Sequence, residues 1–397
     1  MTSAGPAATD EVRRRNTALV LRLLRDHGAS SRADLARRSG LAKATVGTIV
    51  GQLVAVGAVT EGASESTGRG RPSTPVALDG RTLAGLGVEV NVDYMAITAS
   101  DLAGRELAFH EHPVGRGGPD LADVLTLVRD QALHLQRLGV RLLGVTVAVP
   151  GLIDRDRGRV VEAPNLGWSG VDLADAVRRE LATLDRPLDA LGPPAVAVDN
   201  DANCAARAES VHGVAVGVAD FVYLTGTVGL GAGIVCGGRP LRGARGLAGE
   251  VGHLRVGDDR HLCACGRRGC WEALVGLRAL VAATGVEVVP GEDPVTYAER
   301  LAVDPTAAPG LAVVAAALGR GVAQLAATLD PQVVVLGGAF VPLADTLVPA
   351  VRAALAEGFT GAGCRVVPST LGLHAASVGA AVDALDDVYA GRRSLVT

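Results

Sequence analysis

The chain has 397 residues, 48% hydrophobic and 20% charged, with 38 Lys and Arg against 42 Asp and Glu for a formal charge of −4. At roughly 100–200 residues per domain this allows two to four folding units with sizeable cores, and it excludes a disordered or collagen-like chain. The N-terminus lacks a basic segment followed by an apolar run and a small-residue cleavage site, and later apolar stretches are interrupted by Gly, Pro or charge. The expectation is a cytoplasmic protein with no membrane partner.

Charge is unevenly spread. Residues 11–72 hold eleven basic and five acidic side chains, whereas the remainder is acidic overall. A basic segment can be no more than a solvated helix surface, so the pattern within it has to decide. Leu19, Leu23 and Leu24 recur at helical spacing, with Arg on the other face and Gly28 at the stop. Ser31 can cap a second helix that turns Leu35 and Ala36 inward, and Gly40 supplies a tight turn. A third helix follows, with Leu41, Val46, Ile49, Val50 and Leu53 on one face and Lys43, Ala44, Thr45, Thr48 and Gln52 on the other. Short, polar and basic side chains of that kind suit close approach to a major groove, although an ordinary amphipathic helix has the same periodicity. Two β-prone pieces then flank Thr67-Gly68-Arg69-Gly70-Arg71-Pro72. These read as a wing whose Arg69 and Arg71 enter a minor groove, the alternative being a linker. Residues 1–78 are thus expected to form a winged helix-turn-helix that binds double-stranded operator DNA through Arg32, Lys43, Thr45, Thr48, Arg69 and Arg71.

From residue 83 the runs LAGLGVEV, YMAITA, LLGVTVAVP, AVAVD, FVYLTG and VVVLGG have strand length and alternate with helical segments, which makes the class of residues 79–397 α/β. The glycine run Gly229-Leu230-Gly231-Ala232-Gly233 lies between two strands, unlike a dinucleotide loop. It reads either as a plain hairpin turn or as a backbone close enough to approach a phosphate.

Six cysteines are too few for a disulfide scaffold in so long a chain, yet three fall within eight positions. His253, Cys263, Cys265 and Cys270 have the spacing H-x9-C-x-C-x4-C, one imidazole and three thiolates for a tetrahedral zinc ion. Four protein ligands imply a structural Zn2+ site within a loop spanning 253–270, with His261 as a competing ligand. Cys204, Cys236 and Cys364 lie in apolar stretches and read as core thiols. Folding the loop would also gather Glu250, His253 and Glu272, and such convergent acceptors suit the hydroxyls of a sugar.

Together with the helix-turn-helix and its GRGRP tip, the segments VPGLID, APNLGW, DNDANC, LRGARGLAGEVGH and CACGRRGCWE make the chain resemble the ROK family (repressors, open reading frames, kinases), in its DNA-binding repressor branch, along nearly its whole length. The resemblance implies an actin-like, hexokinase-type two-lobed ATPase fold with a zinc loop, and a monosaccharide bound between the lobes. It places Asn200 and Asp201 at the family's Asn-Asp pair, the aspartate being the general base of the kinases, and Glu250, His253 and Glu272 at further sugar contacts. Gly151 and Asn165 fall in cleft-lining elements.

The chain departs from the family's kinases at the nucleotide. Their Asp-x-Gly-Gly-Thr phosphate loop is Glu89-Val90-Asn91-Val92-Asp93 here, and the Gly-Thr before the second glycine run is Thr227-Val228. Loss of glycine closes the backbone approach to phosphate, and Asp93 would repel it. The resulting expectation is a sugar-responsive regulator, a repressor of carbohydrate-utilisation genes, dimeric or tetrameric, without ATP or catalysis. The rival is an ATP-dependent sugar kinase carrying an added DNA-binding domain.

Overall fold

The structure, a computed structural model, describes residues 6–63, 74–115, 117–184, 192–358 and 363–396. The chain opens with α1 (Pro6–His27), β1 (Ser30–Ser31), α2 (Arg32–Ser39), α3 (Lys43–Ala55), β2 (Val59–Glu61) and β3 (Pro75–Leu78). Ser31 caps α2 by accepting the Asp34 amide at 3.1 Å, and Gly40 closes that helix at φ 71°, a conformation that favours glycine. β3 pairs antiparallel with both β1 and β2, so the two β-prone pieces do meet. The tip between them, with Arg69 and Arg71, lies outside the described residues.

The expected stripe of α1 is displaced. Ala18, Val20, Leu21 and Leu24 are buried, whereas Leu19 and Leu23 are only half-buried. The helix is covered on two sides, which no single stripe describes. One side packs on α2, α3 and β3, while on the other the Arg25 guanidinium lies 4.4 Å above the ring of Tyr389 and Arg22 donates to the Tyr389 carbonyl. Leu385, Val388, Leu395 and Val396 from the end of the chain thereby share one core with Leu21, Leu35 and Val46 from its beginning.

Next come β4 (Leu83–Val90), β5 (Tyr94–Asp101), β6 (Glu106–Pro113), α4 (Leu121–Arg137), β7 (Arg141–Val149), β8 (Leu152–Asp154), β9 (Arg159–Ala163), β10 (Trp168–Val171), α5 (Leu173–Ala182) and β11 (Ala195–Asn200). The first large sheet has the order β11-β7-β4-β5-β6, parallel from β11 to β4 and antiparallel beyond, while β8, β9 and β10 form a small antiparallel sheet.

The second lobe follows as α6 (Asp201–His212), β12 (Phe221–Gly226), β13 (Leu230–Cys236), β14 (Arg239–Pro240), α7 (Glu272–Val275), α8 (Leu277–Thr284), α9 (Pro294–Val303), α10 (Ala308–Leu329), β15 (Val333–Gly338), α11 (Ala344–Glu357) and β16 (Arg365–Pro368). Its sheet, β14-β13-β12-β15-β16, repeats the plan of the first, with parallel strands joined through helices and an antiparallel hairpin at one side. α12 (Ala375–Asp383) and α13 (Asp386–Tyr389) return to the first lobe, where α12 packs on β4, β5 and β7 as well as on α6.

Pro305–Leu329 is long and apolar enough by composition to cross a membrane, but 61% of its apolar window is buried in the protein. Val314, Leu318 and Val322 fill the second lobe's core beside Trp271. Among the cysteines outside the cluster only Cys204 is a core thiol. Cys236 is exposed and Cys364 half-buried, because both sit where a strand meets a surface turn.

Candidate functional site

Gly257 and Gly269 hold the Cys-His segment in a tight double-backed loop, in which Arg255 bridges to Cys270 and Leu262 to Arg268. This fold brings one ligand atom each from His253, Cys263, Cys265 and Cys270 within 4.8 Å of one another. Cys265 Sγ lies 3.8 Å from Cys270 Sγ, and Cys263 Sγ lies 3.9 Å from His253 Nδ1. Thiolates about 2.3 Å from a tetrahedral zinc stand about 3.8 Å apart, so the donor set fits that ion and leaves it no open position. Zinc bound here would fix the loop and supply no catalytic water.

His253 links this cluster to the cleft. Its Nδ1 faces the thiols, while its Nε2 lies 4.0 Å from Glu250 Oε2. Burial raises the Glu250 carboxyl above its ordinary range; His253 opposes that shift and the Glu272 charge adds to it. Glu272 sits at the start of α7, accepting the Leu230 amide at 3.2 Å and the Cys263 thiol at 3.6 Å. The same carboxylate accounts for Gly229, whose place in the hairpin a Cβ would take to within 2.2 Å of Glu272 Oε2. The other end of the glycine run serves packing, since a Cβ at Gly233 would meet the Ala202 carbonyl of α6. The run is therefore a β12–β13 hairpin pressed against its neighbours.

Glu250 and His253 line an open cavity of about 450 Å3 together with Gly151, Glu162, Leu254 and Arg267. Gly151 has φ 109°, and a Cβ there would lie 2.4 Å from the Glu162 carbonyl, so the cleft wall demands glycine. Asn165 is exposed in the turn Pro164–Leu166, and its neighbour Pro164 supplies the lining. Arg267 and Glu162 were not legible as cleft residues, because nothing in their local spacing shows that the Cys-His loop and β9 meet.

Asn200 caps α6, its Oδ1 accepting the amides of Ala202 and Asn203 while its Nδ2 donates to the Gly151 carbonyl at 3.2 Å. Asp201 follows at the first helical position and accepts the Ala202 amide at 2.8 Å. Burial pushes its carboxyl up to about 6, against that hydrogen bond and with the help of the Glu250 charge.

Asp201 lines not the cavity of Glu250 and His253 but a separate, narrow one of about 20 Å3, shared with Glu89, Asn91, Tyr223 and Thr227. Glu89 is 4% exposed and turned into it, accepting the Tyr94 hydroxyl at 2.6 Å and the Ser377 amide, near the start of α12, at 3.1 Å. Burial pushes its carboxyl up to about 8. Asp93, expected to repel a phosphate, is exposed and does not line this cavity, because the turn after Val90 carries it outward. The obstruction is Glu89.

Within the N-terminal helices, Lys43 and Thr48 are exposed on α3 and Thr45 is half-buried beside them. Arg32 pairs with Glu61 of β2.

Residues 85–386 match the model of the ROK family. The chain belongs to the ROK family. The xylose repressor of Caldicellulosiruptor bescii is 34% identical over 273 residues, spanning 67% of this chain and 65% of that protein, just under two thirds of its length. The xylose repressor of Bacillus spizizenii is 26% identical over 378 residues, 93% of this chain and 94% of that protein. A crystal structure of a ROK family transcriptional regulator, a homolog of the E. coli MLC protein, superposes with a TM-score of 0.77 at 24% identity, covering 96% and 98% of the two chains. The two-lobed α/β architecture is thus that of a ROK protein with the N-terminal helices included.

Proposed function

We infer that the protein is a sugar-responsive transcriptional repressor. Residues 1–78 form a winged helix-turn-helix that binds operator DNA, with α3 as the recognition helix presenting Lys43, Thr45 and Thr48, and Arg32, Arg69 and Arg71 as further contacts. Residues 79–397 form the ROK body, in which Glu250, His253, Glu272, Asn200, Asp201, Gly151 and Asn165 surround a monosaccharide effector. A structural Zn2+ on His253, Cys263, Cys265 and Cys270 holds the His253 ring so that Nε2 faces the sugar. The observation that carries the reading is the shared histidine: one nitrogen points at the thiol cluster and the other at the cleft carboxylate. Relatives named xylose repressors support it over nearly the full chain and make D-xylose the first effector to test.

Phosphoryl transfer is not part of this function. Transfer depends on positioning and on charge stabilisation of the phosphates. Here a carboxyl group fills the space and takes the Ser377 amide beside Asp201. The protein acts in the cytoplasm as a homodimer or homotetramer, pairing two recognition helices on a pseudo-palindrome.

The test is fluorescence anisotropy of the full chain on its own upstream DNA at fixed salt, titrated with D-xylose, D-glucose and N-acetyl-D-glucosamine. One sugar is expected to shift the specific affinity while a scrambled duplex is unaffected, and Glu250→Gln should remove that shift with DNA binding intact. Sugar-dependent ATP turnover abolished by Asp201→Asn would overturn the reading in favour of a kinase.

A further inference from the structure

Behind the wall of the sugar cleft lies a second, larger cavity of about 590 Å3, between the β8–β9 region and the loop at residues 242–246. Leu152 lines both cavities, and Asn200, which lines this one, donates to the carbonyl of Gly151 that lines the other. The two spaces are back to back across one stretch of chain.

The walls of the second cavity differ in kind. One is apolar, with Leu152, Ile153 and Val161, the last 39% exposed although it is a large hydrophobic residue. The other is polar and largely fixed. Asp199, 3% exposed, accepts from Arg155 at 2.5 Å and from Arg242 at 2.5 and 3.1 Å, while Arg155 also donates to Asp383 at 2.7 Å. Two guanidiniums and two carboxylates neutralise one another there. At the mouth Arg157 pairs with Asp154, and Arg245 and Asp156 are opposite charges. The cavity thus offers rigid hydrogen-bonding groups without net charge, which selects against phosphates and carboxylates and for a neutral polar ligand.

A specific acceptor is left unused. Asn203 is 6% exposed and lines the cavity, its Nδ2 donates to Asp199 at 3.5 Å, and its Oδ1 is buried with no hydrogen-bond partner. Buried polar atoms are seldom left so, because the lost hydrogen bond to water is not replaced. The Asn203 amide is held only by that long bond to Asp199, and turning it towards the cavity would let a ligand hydroxyl satisfy this oxygen. The remaining N–H of Asn200 can donate to another, and Val161 and Leu152 suit the C–H face of a pyranose ring.

We propose that this cavity is a second carbohydrate-binding site, distinct from the effector cleft and separated from it by the Gly151–Leu152 wall. Its occupancy bears on the cleft through Asn200, whose amide holds the Gly151 carbonyl.

Isothermal titration of the full chain with D-xylose, D-glucose, N-acetyl-D-glucosamine and maltose tests the proposal. Ala244→Trp, on the exposed loop at the mouth, fills the cavity, and Asn203→Ala removes the acceptor; thermal melts establish that both variants are folded. At least one of the four sugars is expected to lose about tenfold or more in affinity in both variants while binding Glu250→Gln as it binds the wild type. The proposal is overturned if every sugar that binds is lost in Glu250→Gln and unaffected by Ala244→Trp, or if none of the four binds. Loss in Ala244→Trp with no sugar affected by Glu250→Gln would instead refute the effector cleft and leave the second site standing.

Discussion

Glu89 gives up water for two hydrogen bonds, from Tyr94 and Ser377, and the loss of solvation prevails: its carboxyl titrates near 8 in place of 4.5. The unfolded chain releases this proton at lower pH than the folded one. Stability is therefore undiminished below about pH 4.5, declines as pH rises towards 8, and carries the full penalty above it. Glu89→Gln keeps the shape and removes the titration. In urea melts the variant should gain on the wild type by roughly 3 kcal/mol between pH 5 and pH 8, and a pH-independent difference would contradict the assignment. The identity of this residue was readable as a departure from a phosphate loop. Its inward direction was not, because Ser377 lies 288 positions away.

Among the elements, the Cys-His loop and α12 show opposite sources of order. The loop has few apolar residues and double-backed turns, so the ion is expected to hold it. Metal analysis should return about one zinc per chain, and Cys265→Ser should release it and lower the melting temperature while the far-UV spectrum of the lobes is retained. α12 is ordered by packing alone. Gly379 lies so close to α6 that a Cβ would fall 1.7 Å from the Cys204 carbonyl, and across the first sheet a Cβ at Gly87 would fall 2.1 Å from the Ser377 carbonyl. Gly379→Ala must therefore push backbone apart, at a cost of about 2–3 kcal/mol in chemical denaturation. Helix periodicity, caps and the Cys-His spacing are local and could be read from the chain. That α12 is wedged between two lobes could not, since it depends on which surfaces meet.

Across the whole molecule, the same helix connects the Glu89 cavity to the N-terminal helices. Ser377 at its start bonds Glu89, and beyond its end Tyr389 stacks on Arg25 of α1. On the proposed function, closure of the cleft around a sugar would be passed to α1 through these contacts, and a coupling of about 1–3 kcal/mol suffices for regulation. Tyr389→Ala removes a buried ring at a cost of about 3 kcal/mol. Sugar should still bind this variant, measured calorimetrically, but should no longer change its operator affinity. Lys43→Ala acts elsewhere: operator affinity should fall, and the slope of log affinity against log salt should lessen by about 1, with the sugar response preserved.

Read alone, the amino-acid order determined the alternation of strands and helices, the caps at Ser31 and Gly40, and the gathering of His253 with three cysteines beside Glu250 and Glu272, because these rest on spacing along a few turns of chain. Tertiary structure decided the rest. It turned Glu89 inward, brought Arg267 and Glu162 to the cleft, set Asn203 on a second cavity, and joined the two ends of the chain in one core. Each of these is a contact between segments far apart in sequence, and its energy comes from burial and desolvation that no local pattern records.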